Sequence, residues 1–500
     1  ASVGAGGVYF AAAVSGGAGH GKGGGVPPDV SGAGLRVRVP DGGRQRRPAG
    51  LRPPAGAGAG AAVRRRAEGG HQLPDGGRPG HRHTGRRRQH PVLLRADRAH
   101  RPDRHRPAGA GASGLHTAVD GELHGGTGGL PGGRPVAPCQ GGGHYVEMME
   151  NIFDFSAIKK LFANGFTMVF DAMNAVTGPY ARKIFEEILG AKQGTVLNYI
   201  PLEDFGGLHP DPNLIYAKTL VDLMYSDKAP DFGAANDGDG DRNMILGKKF
   251  FVTPSDSLAI LTDNYKLIPA YKNGIYGVAK SAATSTAVKR VAEALNIGYY
   301  EVPTGWKYFC NLMDSKRITF CGEESFGTGS SHIREKDGIW AVLFWLNIIA
   351  ATGKSVQEIT EEHWKKYGRS YYMRNDYEAL DTDVANKLMT DLENRLPDLS
   401  GKTFGAYTVS EAKPFIYNDP VDGSSTKNGL IIYFTDKSRI VYRLSGTGTN
   451  GATLRVYLER YETKDLNENV EQMLESLADV SRQIGEISER TGKVKADVLT

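Results

Sequence analysis

The stretch DGDGDR, residues 237–242, places three carboxylates at alternate positions. In an extended loop, alternate side chains point the same way, and the intervening glycines let the backbone curve around one point. Three hard oxygen donors that converge suit Mg²⁺. An EF-hand is excluded, because its sixth position requires Gly and its twelfth Glu, whereas Arg242 and Lys248 stand there. Asp237, Asp239 and Asp241 are therefore predicted metal ligands, with a polar turn as the alternative, and Arg242 is predicted to face a metal-bound phosphate.

A second loop, CGEESFGTG at residues 321–329, combines two carboxylates, a hydroxyl and glycines. It is not a nucleophile elbow, because Glu323 occupies the place of the first glycine in G-x-S-x-G. Carboxylates and hydroxyls form hydrogen bonds with sugar hydroxyls, so Glu323 and Ser325 are predicted to hold a sugar. A helix N-cap with acidic residues in its first turn is the alternative.

Two neighbouring stretches add further polar groups. HIREKDG, residues 332–338, offers Arg334 and Lys336 to an anionic substrate, with a solvated charged turn as the alternative. PTGWK, residues 303–307, adds Thr304, Trp306 and Lys307. The tryptophan is expected to pack inside the protein rather than to stack on a sugar.

The stretch RLSGTGTNGATLRVY, residues 443–457, contains a literal G-x-G-x-x-G at Gly446, Gly448 and Gly451. A dinucleotide-binding turn needs a strand before these glycines and a helix after them. Alternating apolar residues predict a strand on both sides, so an anion pocket is favoured over a Rossmann site, with a flexible hairpin as the alternative. The groups that form this predicted phosphate cradle are the backbone N–H groups with Ser445, Thr447, Thr449 and Arg455.

The first 143 residues differ from the rest in composition. They hold 20 Arg and one Lys against eight acidic residues, 37 of the 66 glycines, and no Ile, Asn or Trp. Such a Gly-, Arg- and Pro-rich segment buries too little apolar surface to form a recognisable domain. All but 11 of its residues are Gly, Ala, Val, Asp, Glu, Arg, His, Gln, Pro or Leu, whose codons can begin with G or C. We therefore interpret the segment as a frame-slipped or wrongly assembled translation.

From residue 144 onward, short apolar strands alternate with helical patterns, which predicts α/β layers. Helices are expected over 145–165, 178–190, 284–296, 355–368 and 469–492, and strands over 166–173, 195–202, 273–281 and 297–303. The predicted domains are a metal-binding α/β domain at 144–264, a sugar-binding α/β domain at 265–354 and a C-terminal α+β phosphate-binding domain at 355–500.

Cysteine content and hydropathy restrict the location of the protein. Cys139, Cys310 and Cys321 show no metal-ligand spacing and cannot form a disulfide framework, which suits a reducing, cytoplasmic location. No run of about 18 apolar residues is present to span a membrane, and the apolar stretch near the start is too short for a signal peptide.

Together these stretches resemble the α-D-phosphohexomutases, and their phosphoglucomutase branch in particular, from about Tyr145 to Thr500. The similarity rests on PLEDFGGLHPDPNL, FGAANDGDGDRNMILG, VPTGWKYFCNLMD, CGEESFGTGSSHIREKDG, DPVDGS and RLSGTGTNGATLR, which occur in one order. It implies α/β domains around a deep cleft, a C-terminal α+β domain, and a first family domain that is missing or garbled. It also implies an isomerase, an intramolecular phosphotransferase that interconverts glucose 1-phosphate and glucose 6-phosphate through bound glucose 1,6-bisphosphate.

The resemblance assigns a role to each candidate residue. Asp237, Asp239 and Asp241 would hold Mg²⁺, and Arg242 and Lys336 are the catalytic candidates. Sugar and substrate contacts fall to Thr304, Glu323, Ser325 and Lys336. The phosphate that is not transferred would be held by Ser445, Gly446, Thr447 and Thr449, with Arg455 following.

In one respect the chain departs from the family. The resemblance implies an active-site phosphoserine in a first-domain stretch like TASHNPGG, and no such stretch occurs, since no Asn precedes Asn151. The phosphoryl donor and the fourth metal ligand are thus absent from the printed sequence, which we expect to be inactive as it stands.

Three functions are open at this point. The first is a phosphoglucomutase whose first domain is garbled, and the second is a catalytically inactive phosphosugar-binding or scaffold homologue. The third is a nucleic-acid-binding fusion that uses the Arg-rich N-terminus. A phosphorylated hexose is the expected partner, without membrane or nucleic acid, and a monomer or weak dimer is expected.

Overall fold

The structure is a computed structural model that describes residues 142–448 and 451–500. The predicted low-complexity segment lies outside the described residues, apart from its last two glycines, and so does Thr449. The described chain forms three sheets, each with its own helices. This confirms the predicted fold class of α/β domains followed by an α+β domain.

The first sheet contains β1 Met168–Asp171, β2 Val196–Leu197, β3 Phe232–Asn236, β4 Asn243–Gly247 and β5 Phe250–Val252, in the order β2-β1-β3-β4-β5. β1 is parallel to β2 and β3, whereas β4 is antiparallel to β3 and β5. Its helices are α1 Gly142–Ile152, α2 Phe155–Ala163, α3 Thr177–Ala181 with a π-helical continuation over Arg182–Ile188, and α4 Lys218–Met224. Residues 237–242, the aspartate loop, join β3 to β4.

The second sheet contains β6 Gly277–Ser281, β7 Gly298–Val302, β8 Phe320–Gly322 and β9 Thr328–Ser330, in the order β7-β6-β8-β9. β6 is parallel to both β7 and β8, and β9 runs antiparallel to β8. The helices of this part are α5 Pro254–Asp263, α6 Ala287–Leu295, α7 Trp306–Asp314, α8 Gly338–Thr352 and α9 Val356–Tyr367.

The third sheet is antiparallel throughout and contains the predicted phosphate loop. Its strands are β10 Arg369–Leu380, β11 Thr403–Phe404, β12 Tyr407–Asn418, β13 Ser425–Phe434, β14 Arg439–Gly448, β15 Gly451–Glu462 and β16 Val498–Leu499, in the order β11-β12-β13-β14-β15-β10-β16. The helices α10 Thr382–Arg395, α11 Val470–Gly485 and α12 Ile487–Thr491 pack their apolar side chains against this sheet in one core.

Several predicted elements are shorter or interrupted in the structure. The helix expected over 145–165 breaks at Asp154, whose carboxylate accepts the N–H of Ala157 at 2.9 Å and so starts a new helix. The strand expected over 195–202 shrinks to Val196–Leu197. The last predicted helix breaks at Glu486, which adopts a left-handed conformation with φ +49°.

The residues Thr284, Ser285 and Thr286 at the start of the 284–296 pattern predict a hydroxyl cap for α6, and Ser285 Oγ accepts the N–H of Ala287 at 3.3 Å. Thr286 does occupy the N-cap position, but its side chain makes no capping hydrogen bond. Its hydroxyl instead donates to Glu459 Oε1 at 2.6 Å, across to the third sheet. The hydroxyl at the N-cap position thus makes a tertiary contact, and Ser285 makes the local one.

The helix α8 connects the first two sheets. Its residues from Gly338 to Ile349 are all buried, and it contacts β3, β4 and β9. Its sequence GIWAVLFWLNIIAAT is apolar on nearly every side, which suits a helix that is buried all round. Among the described residues no single helix is long and apolar enough to cross a membrane; α8 and α9, bent by 85°, pass that test only as a pair, by length and composition.

Acid should destabilise the fold through His363 of α9. Burial lowers the pKa of this imidazole to about 4, against the opposing charge of Asp263. An unfolded histidine titrates near 6.5, so between these values the unfolded chain binds more protons and stability falls as the pH falls. We expect the loss between pH 7 and pH 4.5 to be smaller by about 2 kcal/mol in His363→Gln, as measured by urea unfolding.

The matched control for this prediction is His209→Gln, because His209 is exposed. Its pH dependence should follow that of the unsubstituted chain. Equal pH dependence of the His363 and His209 variants would show that the buried imidazole does not set the acid limit.

Candidate active site

The predicted metal ligands lie on the loop between β3 and β4. β3 ends at Asn236 and β4 begins at Asn243, and these residues are paired across the hairpin. Gly240 has φ +80°, and a Cβ there would lie 2.5 Å from Thr177 Cγ2. This position therefore requires glycine, and the hairpin fixes the course of residues 237–242.

The three carboxylates of this loop converge as the sequence predicts. One oxygen from each of Asp237, Asp239 and Asp241 lies within 4.8 Å of the other two. Asp237 is buried, Asp239 is exposed and Asp241 is half-buried. The Oδ1 atom of Asp241 is buried and accepts no hydrogen bond from the described residues. Converging hard oxygen donors, one of them unsatisfied, fit a divalent cation such as Mg²⁺.

The electrostatics of the loop favour a cation. Burial raises the pKa of the Asp237 carboxyl to about 7; the backbone N–H of Arg242 opposes this shift, and the charge of Asp241 adds to it. Carboxylates this close repel one another when they are all ionised, which disfavours their charged forms. A bound cation would offset both the burial and the repulsion.

Arg242 is held beside the aspartates by two carboxylates. Its Nε lies 3.0 Å from Asp237 Oδ2, and its Nη1 lies 3.0 Å from Asp211 Oδ1. The side chain is 38% exposed, so its planar donors stay accessible to an anion. Sequence reasoning misses Asp211, because its partner lies 31 residues later and no local spacing links them.

Lys336 connects the aspartate loop with residues 323–327, which carry the predicted sugar ligands. Its Nζ lies 3.1 Å from Asp241 Oδ2 and 3.3 Å from Glu323 Oε2. Burial alone would lower the pKa of Lys336, but the two carboxylates outweigh it and hold the pKa above its usual value. Burial also raises the pKa of Glu323, with Glu324 adding and Lys336 opposing. Lys336 is therefore a fixed positive charge between the predicted metal ligands and the predicted sugar ligands.

The sugar loop, defined here as residues 323–327 between β8 and β9, docks directly on β4. The carbonyl of Phe326 accepts the backbone N–H and the side-chain amide of Asn243 at 2.9 and 3.0 Å. A Cβ at Gly327 would lie 2.8 Å from Lys336 Cδ, so the missing side chain makes room for the lysine. Glu323 is buried and Ser325 is half-buried.

Thr304 lies next to the same loop. The N–H of Gly305 points to Glu323 Oε1 at 3.4 Å, and the N–H of Thr304 donates to Asn428 Oδ1 at 3.3 Å. The Thr304 hydroxyl is buried and has no hydrogen-bond partner among the described residues. An unpaired hydroxyl in this place is suited to a ligand hydroxyl.

The other charged and aromatic candidates divide between the site and the surface. Trp306 donates its indole N–H to the carbonyl of Arg334 at 2.8 Å and packs on Phe309, as expected for a packing residue. Lys307 is exposed. The guanidinium of Arg334 pairs with Asp314, so of the two predicted anion-binding residues only Lys336 joins the cluster.

The glycine stretch forms a strand-loop-strand hairpin, as predicted. β14 runs antiparallel to β15, and Ser445 pairs with Thr453. No helix follows the glycines; a strand does, which excludes the dinucleotide-binding turn. Gly446 has φ +63°. Thr449 and the side chain of Thr447 lie outside the described part of the chain.

Arginines accumulate beside this hairpin. Arg443 lies directly opposite Arg455 on the two strands. Asp376 of β10 lies 3.1 Å from Arg374 Nε and 3.6 Å from Arg455 Nε. Burial raises the pKa of Asp376, and both arginines oppose this. Glu324 and Glu378 also lie near this group, but clustered guanidinium groups offer the donors that a phosphate needs.

Among the described residues, ion pairs connect the predicted metal and sugar ligands with each other, but they do not connect these residues with Arg455 beside the phosphate loop. Within residues 142–448 and 451–500 they connect Asp237, Asp241, Arg242, Glu323 and Lys336, whereas Arg455 connects to Asp376. Sequence reasoning misses Arg374 and Arg443, because their strand patterns predict only which face each side chain occupies.

Comparison with known protein families accounts for most of the described chain. Residues 143–249 match the phosphoglucomutase/phosphomannomutase alpha/beta/alpha domain II, and residues 254–367 match domain III of the same family. Residues 369–497 match the phosphoglucomutase-1 C-terminal domain.

Individual relatives cover the same region. The phosphoglucomutase of Rhizobium radiobacter is 55% identical over 359 residues, which are 71% of this chain and 66% of that protein. Human phosphoglucomutase-1 is 52% identical over 370 residues, 71% of this chain and 66% of that protein. The chloroplastic phosphoglucomutase of Arabidopsis thaliana is 50% identical, and the match spans 71% of this chain and 60% of that protein.

A solved structure agrees with these matches. The exocytosis-sensitive phosphoprotein pp63/parafusin of Paramecium, a phosphoglucomutase in its open form, aligns with a TM-score of 0.68 and 47% identity. That alignment covers 71% of this chain and 64% of the Paramecium chain. The chain thus spans two thirds or less of the length of the relatives it matches.

Proposed function

The chain belongs to the phosphoglucomutase/phosphomannomutase family over residues 143–497, and we propose that its protein interconverts glucose 1-phosphate and glucose 6-phosphate. The observation that carries this proposal is Lys336, whose ammonium group bridges the convergent aspartates and the buried Glu323. One cluster thereby offers ligands for a metal-bound phosphate next to groups for a sugar. The inactive-scaffold and nucleic-acid alternatives gain no support from relatives that are named phosphoglucomutases.

Asp237, Asp239 and Asp241 are the proposed ligands of Mg²⁺, which when bound would neutralise charge on the transferred phosphoryl group. Arg242 would orient that phosphate with its exposed donors. Lys336 would hold negative charge between the metal loop and the sugar.

The substrate would lie between two loops. Glu323, Ser325 and the unpaired hydroxyl of Thr304 would accept or donate hydrogen bonds to sugar hydroxyls. The phosphate that is not transferred would bind at Ser445, Gly446, Thr447 and Thr449, with Arg455 supplying positive charge. Glucose 1,6-bisphosphate is the proposed intermediate, because it carries a phosphate for each end.

We also propose domain limits that differ from those predicted at 264 and 354. Helix α5 packs on α6, so its first residue, Pro254, belongs with the second sheet. Helix α9 contacts α5 and α6 as well as β4 and β5, and β10 of the third sheet starts directly after it. Boundaries near 250 and 368 follow, in line with the matched ranges 254–367 and 369–497.

The proposed activity is tested by supplying a first domain. The part of the Rhizobium relative that precedes the matched region is fused to residue 143, and the fusion is compared with the 500-residue chain. With glucose 1-phosphate, Mg²⁺ and catalytic glucose 1,6-bisphosphate, the fusion should form glucose 6-phosphate, whereas the 500-residue chain should not, since no phosphoryl-donating serine stretch occurs in it.

Two outcomes would contradict the proposal. A folded fusion without turnover would reject the mutase function of residues 143–500. Equal turnover by both proteins would show that residues 1–143 do supply the phosphoryl donor, against our interpretation of them.

A further inference from the structure

A buried ion pair lies at the base of the hairpin that carries the predicted phosphate loop. Arg439 is the first residue of β14 and lies directly opposite Glu459 of β15. Both side chains are almost completely buried, and Arg439 Nε lies 2.5 Å from Glu459 Oε2. Burial alone would raise the pKa of Glu459, but the charge of Arg439 outweighs it and lowers the pKa to about 2. Both groups are therefore charged at neutral pH.

This ion pair reaches out of its own sheet. The guanidinium of Arg439 donates to the carbonyls of Ala282, at 2.9 Å, and Thr284. The carboxylate of Glu459 accepts the N–H of Thr286 at 2.9 and 3.0 Å and its hydroxyl at 2.6 Å. Residues 282–286, the crossover loop, directly follow β6 of the second sheet. The pair thus fastens the hairpin to the crossover loop through five hydrogen bonds.

The crossover loop also holds the sugar loop. Thr284 Oγ1 accepts the backbone N–H of Glu324 at 2.9 Å. Ser281, the last residue of β6, donates its hydroxyl to Glu324 Oε2 at 3.2 Å. Glu324 stands between Glu323 and Ser325, the two predicted sugar ligands. A continuous path of direct hydrogen bonds therefore runs from the hairpin base to the sugar loop.

Stability alone does not explain such a pair. The desolvation of two charges costs about as much free energy as their attraction contributes. Apolar residues can therefore often replace such a pair without a loss of stability. A buried ion pair whose hydrogen bonds are all made does, however, fix the relative position of the two segments that it connects, because any other position would leave buried charges without partners. Here those parts are the phosphate hairpin and the sugar loop.

We propose that Arg439 and Glu459 are positioning residues that set the placement of the phosphate-binding hairpin relative to the sugar loop. This inference rests on the proposed function, since it assumes that one substrate spans both. A ligand that touches only the hairpin is indifferent to this placement. A ligand that spans hairpin and sugar loop depends on it, because small misplacements of bound groups are costly.

Two ligands and three variants of the full 500-residue chain test the proposal by isothermal titration. Glucose 1-phosphate spans both loops, whereas inorganic phosphate, titrated without added Mg²⁺, is too small to span them. Glu459→Gln and Thr286→Val should each lower the affinity for glucose 1-phosphate about tenfold and change that for phosphate less than about twofold. Thr286→Val leaves both buried charges in place, so it decides the question if Glu459→Gln does not fold.

The matched control is Arg490→Gln. Arg490 pairs with Asp391 and Glu486 among the helices of the third sheet, so its loss should change neither affinity. If both affinities stay the same, or fall by the same factor, in folded Glu459→Gln and Thr286→Val, the positioning role alone is overturned. An unsubstituted chain that binds glucose 1-phosphate no better than phosphate would instead reject the proposed substrate, and the positioning role with it.

Discussion

Replacing Asp237 with asparagine is expected to lower the affinity of the protein for Mg²⁺ by at least about 100-fold. Asp237 is the most buried of the three aspartates, with 2% of its surface exposed. An amide oxygen in its place carries no charge, while the neighbouring Asp239 and Asp241 still offer theirs. The measurement is isothermal titration with MgCl₂ at pH 8, where the Asp237 carboxyl, whose pKa is raised to about 7, is ionised.

The same titration on Asp239→Asn and Asp241→Asn tests whether the three residues act together. We expect each to weaken binding, because each supplies one oxygen to a common point. Asp222→Asn is the control, since Asp222 is an exposed carboxylate on α4 that pairs with Lys218. Unchanged Mg²⁺ affinity in all three loop variants would remove the basis of the metal assignment.

The aspartate loop could be predicted from the sequence because its information is local. Three acids at alternate positions, with glycines between them, converge whenever the loop is tight. The same holds for the glycine stretch, where alternating apolar residues on both sides predicted two strands and so excluded a Rossmann turn. Short-range periodicity was sufficient in both cases.

The connections between loops could not be predicted in this way. Asp211 meets Arg242 and Glu459 meets Thr286 only after the chain has folded, across 31 and 173 residues. A charged residue in a strand pattern is assigned by default to the solvent face. Arg439 and Glu459 contradict this default, because each supplies the charge that allows the other to be buried.

Thr286 shows the same limit for a single side chain. Its place before an apolar helical pattern predicts a capping hydroxyl, and the structure gives that hydroxyl to Glu459 instead. The hydrogen bond to the buried carboxylate is charge-assisted and therefore stronger than a neutral capping bond. Local propensity is overridden here by a group that only the tertiary fold brings near.

Replacing Lys336 with methionine is expected to lower kcat/KM of the fusion with a restored first domain by about 1000-fold. The ammonium group is the only cation within 4 Å of both Asp241 and Glu323 among the described residues. Without it, two partly buried carboxylates lose their common counter-charge and repel the phosphate that should bind between them. Turnover of glucose 1-phosphate at saturating Mg²⁺ measures the effect.

Lys307→Met provides the comparison for this last prediction. Lys307 is exposed on the neighbouring stretch and lies over the ring of Tyr308, so its loss should leave kcat/KM within about twofold. Thermal unfolding of both variants separates loss of function from loss of fold, since a methionine at position 336 still fills the space beside Gly327. If Lys336→Met turns over at the rate of Lys307→Met while Asp237→Asn is inactive, the bridge between metal loop and sugar loop is structural, and the catalytic charge must come from Arg242.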